Sequence, residues 1–365
     1  MIRTVRSHLN VEAHSHAGMT GKNNEDRYAV ASFVLDDNNK MPVLFAVLAD
    51  GIGGHRGGEV AADLAVNHIV QAAAKSDGRH IRHTIEDVIV EASDAIAAHS
   101  ASKDELKGMG STCALAWIVG DKLHTATVGD SRIYMMRAGR IQQLSTDHTW
   151  VQEAIEKGIL TPERAREHPN VHVIRRYLGS PEPPEPDFRL RWFDDEGDQG
   201  DESNQGVQLL PDDVLLLCSD GLTDLVWDDE ILEIVRSKPS LKEASRSLVE
   251  LANSRGGHDN TTVILISVPS NFKLTVKNDA GWLPWIIGGA AGVLLILVVG
   301  SVLTFGLLRR NSSVTSTPTT RPLFTQTPLL QPTNTPVLPA TTATPQLILP
   351  IVPTYTPWPT NTLIP

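Results

Sequence analysis

The stretch TCALAWIVGDKLHTATVGDSRIYMMRAGRI, residues 112–141, holds three short apolar runs, Thr112–Val119, Lys122–Val128 and Arg132–Arg137. Runs of this kind read as strands. Turn-like pairs, Gly120–Asp121 and Ala138–Gly139, follow the first and the third. Tight turns join antiparallel neighbours, whereas parallel neighbours need a long crossover. The same reading extends outward to Tyr28–Leu35, Val43–Ala49, Val214–Cys218 and Thr262–Val268. Helical spacing appears in two places between them. Ala61, Leu64, Ala65, Ile69 and Ala72 form one stripe, and Ile85, Val88, Ile89, Ala92 and Ile96 another. A weaker stripe runs through Leu241, Ala244, Leu248 and Leu251. The class expected is α+β, with helices packed over antiparallel sheets. The acidic, Gly-rich stretch Asp194–Gly206 reads as a surface loop without chemistry.

Charge is divided unevenly along the 365 residues. Beyond residue 268 the bases are Lys273, Lys277, Arg309, Arg310 and Arg321, and Asp279 is the sole acid. Residues 1–268 therefore carry 27 bases against 42 acids, a net charge of −15. Such a domain repels nucleic-acid phosphates, so nucleic acid is excluded as a partner. Cys113 and Cys218 lie inside apolar runs and read as buried thiols rather than a disulfide. Met1–Glu12 has no apolar stretch, so no signal peptide is expected, and the domain is expected to start in a reducing cytoplasm.

Part of the acid surplus sits where a fold usually places turns. Asp50 ends the run Val43–Ala49 and opens Asp50-Gly51-Ile52-Gly53-Gly54-His55. Asp130 follows Val128-Gly129, Asp220 follows Val214–Cys218 and Ser219, and Asp259-Asn260 precedes the last run. One Asp-Gly is ordinarily a turn. Four aspartates at strand ends point to a site for hard cations, which take carboxylate, carbonyl and water oxygens.

Seven segments in order then resemble the metal-dependent serine/threonine phosphatases, the type 2C or PPM family. They are Asn24-Glu25-Asp26, Asp50-Gly51-Ile52-Gly53-Gly54-His55, Gly110-Ser111-Thr112, Val128-Gly129-Asp130-Ser131-Arg132, Leu144-Ser145-Thr146-Asp147-His148, Ser219-Asp220-Gly221-Leu222 and Asp259-Asn260-Thr261-Thr262. The resemblance covers residues 12–268. It implies two packed antiparallel sheets flanked by helices, a four-layer αββα sandwich, and two Mn2+ or Mg2+ ions with a weaker third. Asp50 resembles the bridging ligand, and the Gly51 carbonyl a ligand of one ion. Asp220 and Asp259 resemble the other carboxylates of the first ion. Glu25 corresponds to the acid of the second, with Asp26 behind it, and Asp130 and Asp224 to ligands of the third. Attack by a metal-activated water on phosphoserine or phosphothreonine follows, with no nucleophilic side chain. Phosphorylated proteins, opposed by a serine/threonine kinase, are the implied partners.

The pattern departs from the family in two places. The family's phosphate-gripping arginine is replaced by Gly21, and Lys22 is the neighbouring base; a lysine lacks the two-pronged fork. Ile52 stands where animal members place a histidine. His55 is then either a proton donor or, the blander reading, a histidine closing the glycine-rich turn. A catalytically weak or dead family member that binds phosphoproteins as a membrane-tethered scaffold is the alternative function. The presence of Asp50, Asp220 and Asp259 favours the enzyme.

Residues 285–308 are 24 positions without a charge. A helix of that length spans about 36 Å, enough to cross a bilayer. Trp282 and Trp285 mark one end and Arg309–Arg310 the other. The expected order is a phosphatase domain at 1–268, a linker at 269–284, a transmembrane helix at 285–308 and a tail at 309–365. Residues 311–365 contain 12 Pro and 15 Thr and read as a disordered or polyproline-II stalk. The domain is expected in the cytoplasm and the tail outside.

Overall fold

The computed structural model describes residues 1–36, 40–53, 57–192 and 200–273. The expectations for 285–308, for the tail, for most of the linker and for His55 lie outside the described residues. Among the described residues no helix is long and apolar enough to cross a membrane.

One sheet has the order β1 (Ile2–Thr4), β3 (Arg27–Val34), β4 (Pro42–Ala49), β7 (Cys113–Val119), β8 (Lys122–Val128) and β11 (Val207–Gln208). The other has the order β10 (Arg140–Gln143), β9 (Arg132–Arg137), β12 (Val214–Cys218), β13 (Thr261–Ser267) and β2 (Asn10–His16). Every pairing in both is antiparallel. A small third pair joins β5 (Gly51–Ile52) to β6 (Gly110–Ser111). The helices are α1 (Gly57–Lys75), α2 (Ile81–Ser102), α3 (Trp150–Glu156), α4 (Pro162–Arg166), α5 (Asp220–Thr223), α6 (Asp228–Ser237) and α7 (Leu241–Ser254).

The central strands read as continuous apolar runs because both of their faces are buried. In β4, Val43, Phe45 and Val47 pack against α1 and α2, while Leu44, Ala46 and Leu48 face the second sheet. In the second sheet, Ile133, Leu215, Leu217, Ile264 and Ile266 meet them. Tyr134, Leu216, Val263 and Leu265 turn the other way, against α6 and α7. Side-chain alternation with period two thus divides the apolar residues into three cores and stacks the layers helix, sheet, sheet, helix. Phe45 and Trp117 meet edge to face at 5.2 Å in the first core. Truncating either to alanine costs about 3–5 kcal/mol.

Six of the described strands depart from the sequence reading, and three of them, β1, β5 and β6, are only two or three residues long. β2 and β10 are polar and half-buried along most of their length, so no apolar run marks them. β11 is two residues long. It follows directly after Asp194–Gly206, the stretch expected to be a loop, and within that stretch the short helical turn Glu202–Asn204 departs from the expectation. Gln205 explains this order. Its side chain bonds the Thr125 backbone and the Phe188 carbonyl, tying the segment to the sheet.

Candidate metal centre

The strand-end acids converge at one end of the sandwich. β4 delivers Asp50, whose peptide is clamped. Its N–H donates to Thr112 Oγ1 at 2.9 Å, and its carbonyl accepts from the Thr112 N–H at 2.8 Å and from Ser111 Oγ at 3.0 Å. Thr112 Oγ1 also meets Ser131 Oγ at 2.7 Å, beside Asp130. Two small hydroxyls therefore hold the backbone and leave the Asp50 carboxylate to other work. This accounts for Gly110-Ser111-Thr112.

Gly51 and Gly58 approach too closely for side chains. A Cβ on Gly58 would lie 2.7 Å from both Glu25 Oε2 and the Gly51 carbonyl oxygen. A carboxylate and a carbonyl thus face one point at the first turn of α1, a cradle of oxygens that any Cβ would fill. Asn260 holds the far side. Its Oδ1 accepts the Glu25 N–H at 2.7 Å, its Nδ2 donates to the Ala17 and Asn23 carbonyls at 3.1 Å, and its own N–H donates to Asp259 Oδ1 at 2.8 Å. One amide fastens the loop carrying Glu25 to Asp259.

Asp26 is buried and accepts from Ser219 Oγ at 2.8 Å, while its Oδ1 has no partner. Asp220 begins α5, and its Oδ1 is likewise buried without a partner. Burial chiefly, and then neighbouring charge, pushes these acids upward. Burial pushes Asp26 up to about 6, with the hydroxyls of Thr262 and Ser219 opposing. It pushes Asp130 up to about 7, helped by Asp147 and opposed by Arg132. Asp50 is held well above the usual carboxylate range by burial and then by Asp26, Asp220, Asp130 and Asp259, and Asp220 by burial and then by Asp130, Asp224, Asp259 and Asp26. Glu25 and Asp224 are raised by burial. Carboxylates crowded this way repel, and a divalent cation between them removes the cost.

The tightest group, with one ligand atom from each member within 4.8 Å of the others, is His172, Asp220 and Asp224. Asp259 acts on Asp220, and Asp220 on Asp50, through charge, and neither Asp50 nor Asp259 joins a group that tight among the described residues. His172 was not legible in the sequence; it sits in Asn170-Val171-His172, away from any strand end. Its Nδ1 lies 3.6 Å from Asp224 Oδ2. His148 is better placed than its motif suggested. Its Nδ1 accepts the Gly129 N–H at 3.0 Å, which puts the ring proton on Nε2, facing Asp187 Oδ2 at 3.1 Å. It fixes the peptide that precedes Asp130. Lys22 is exposed, and its charge acts on Glu25.

The donors gathered here are overwhelmingly oxygens, suited to magnesium or manganese. The orphaned oxygens of Asp26 and Asp220 and the cradle at Gly58 fit such ions.

Comparison with known proteins agrees with this geometry. A putative type 2C protein phosphatase of Streptococcus pyogenes is 32% identical over 261 residues, 71% of this chain and 97% of that one. The serine/threonine protein phosphatase PstP of Mycobacterium tuberculosis is 33% identical over 282 residues, 77% of this chain and 48% of that one. Among solved structures, the Streptococcus agalactiae serine/threonine phosphatase superposes with a TM-score of 0.61 at 32% identity, covering 71% of this chain and 99% of that one. The catalytic domain of PstP, in complex with two manganese ions, gives 0.59 at 32% identity, covering 72% and 98%. Sandwich and acid cluster together define a metal-dependent serine/threonine protein phosphatase. Residues 14–259 match the family described as Protein phosphatase 2C, and the chain belongs to it.

Proposed function

We propose that the acid cluster holds the cations of this phosphatase with Asp50 shared between two positions. Asp220 and Asp259 complete the first position. The Gly51 carbonyl and Glu25 complete the second, with Asp26 behind Glu25. Asp130 and Asp224, beside His172, serve a weaker third. Cations held there would supply a water of lowered pKa and offset charge on the transferring phosphoryl group. The chain's own contribution is to hold the oxygens in place. Ser111 and Thr112 fix Asp50, Asn260 ties Glu25 to Asp259, and His148 fixes the approach to Asp130. Lys22 supplies charge to the substrate phosphate. Neither cysteine competes as a nucleophile, because burial pushes the Cys113 thiol up to about 12 and raises Cys218 as well.

The observation that carries this reading is Asp220 Oδ1, buried without a hydrogen-bond partner among like charges. Phosphate release from phosphoserine and phosphothreonine proteins by the full chain should require manganese or magnesium and stop on chelation. Release that survives exhaustive chelation overturns the assignment.

The charge-free length of 285–308 supports a membrane tether, with the phosphatase in the cytoplasm and the Thr/Pro-rich tail outside. Phosphorylated proteins made by a serine/threonine kinase are the substrates in this reading. Protease added to intact spheroplasts should trim only the tail; loss of the phosphatase domain reverses the orientation.

A further inference from the structure

We propose that the outer edge of β2 docks the substrate polypeptide, pairing antiparallel with the extended residues that follow the phosphoresidue. The proposal rests on the acid cluster being the phosphatase centre.

β2 is the last strand of its sheet. It pairs only with β13, in register from Asn10 opposite Ser267 to His16 opposite Thr261. In an antiparallel edge strand, alternate residues point their N–H and C=O groups away from the sheet. No described residue bonds those groups in Asn10–His16. Edges left like this template strand addition, and proteins usually blunt them with proline, lysine or a bulge. Asn-Val-Glu-Ala-His-Ser-His has none of these.

The edge also has room beside it. A cavity of about 440 Å³ lies along it, lined on the β2 side by Glu12, His14 and His16 and on the α7 side by Lys242, Arg246 and Asn253. The three β2 residues are two apart and so share one face. Asn253 Oδ1 is buried there without a hydrogen-bond partner. Walls of mixed charge and amide suit a hydrated main chain with varied side chains. Main-chain pairing supplies affinity without demanding one sequence.

The edge leads into the centre. His16 stands opposite Thr261, two residues from Asp259. A phosphoresidue over the acids leaves its neighbours level with His16, then His14, then Glu12. β2 runs toward the acids, so an antiparallel partner runs away from them. Its residues are those C-terminal to the phosphoresidue. Seven strand residues offer about 23 Å of edge.

The test uses the full chain with manganese and phosphothreonine peptides carrying single backbone N-methyl groups. Methylation at alternate positions of the C-terminal flank should raise KM about tenfold with kcat unchanged, the mark of lost uniform binding. The intervening positions and the N-terminal flank should show no change. Arg246→Trp, which fills the cavity, should raise KM for the unmodified peptide severalfold. p-Nitrophenyl phosphate has no flank and reads the centre alone. A chain that fails to hydrolyse it loses the phosphatase reading itself. A chain that hydrolyses it but gives a flat scan, a scan without a two-residue period, or an effect on the N-terminal flank loses the docking proposal. So does an unchanged KM in Arg246→Trp, or a dimer in light scattering that peptide does not dissociate.

Discussion

Asp130 and Asp187 are equally buried, each 7% exposed, yet their carboxyls move in opposite directions. Asp187 accepts from Arg189 and faces His148, and these partners hold it well below the usual carboxylate range despite its burial. Asp130 is pushed up to about 7, by burial first and then by Asp147. His148 touches both regions, through Gly129 on one side and Asp187 on the other. Burial sets the cost of a charge, and the partner decides whether that cost is met. Asp187 has its cation within the chain. Asp50 and Asp220, beside Asp130, are acted on by burial and like charges alone, and that unmet charge is the signature of a centre completed by ions.

The sharpest way to break this contrast is Asp220→Asn. Activity should fall at least about a hundredfold, as for loss of a group stabilising transition-state charge. The chelated protein should keep its Tm or gain slightly, because a like charge has left the vicinity of Asp130, Asp224 and Asp259. Manganese at a hundred times its Kd should stabilise the parent chain by about 2.7 kcal/mol. That gain should shrink in the variant. Thermal melts with manganese and with chelator read both quantities. An Asp220→Asn chain that unfolds in chelator would make Asp220 structural, like Asp187.

Asp187→Asn should do the reverse. Arg189 and His148 lose a buried partner, and stability should fall by about 3 kcal/mol in urea titrations. Activity per folded molecule should fall far less than in Asp220→Asn. The pH dependence has two signs. Asp187 is depressed in the folded state, so its stabilisation is present above the unfolded value of about 4 and is lost as pH falls through that range. Asp26, at about 6, and Asp130, at about 7, are raised, so the folded chain holds more protons than the unfolded one between about 4 and 7. The chelated protein should therefore gain stability between about pH 7.5 and pH 5. Manganese displaces those protons and should reverse the trend. A higher urea midpoint at the upper pH in chelator would undo the contrast.

What the sequence shows and hides follows the same physics. Val43–Ala49 and Val214–Cys218 were legible because both faces are buried and every position is apolar. Asp50, Asp220 and Asp259 were legible because acids at strand ends contradict that surrounding pattern. β2 was not, since an edge strand with polar residues on one face resembles a loop. His172 could not be placed, because the segment carrying it approaches Asp224 only through the tertiary path after α4. Asn260 was noticed as part of a motif, but its task depends on Glu25, a contact across 235 residues.

The smallest expected effect lies at Lys22, the exposed counterpart of the buried acids. Its charge reaches Glu25 through solvent, and exposed charges of this kind contribute roughly 0.2–1 kcal/mol. Lys22→Ala should raise KM less than about fivefold and leave kcat nearly unchanged. The difference should vanish at high salt, whereas the Asp220→Asn defect should persist, because buried charges are screened far less. Gly21→Arg tests the same position from the other side. A Cβ there meets nothing within 4 Å, but the backbone lies at φ +76°. A side chain in that conformation costs about 1–2 kcal/mol of stability. A two-pronged guanidinium on phosphate contributes about 1.5–3 kcal/mol of binding. The variant should therefore melt earlier yet show a lower KM, so stability and affinity report the two effects separately. An earlier melt with KM unchanged would mean that the arginine does not reach the phosphate from this turn and that Lys22 alone provides the grip.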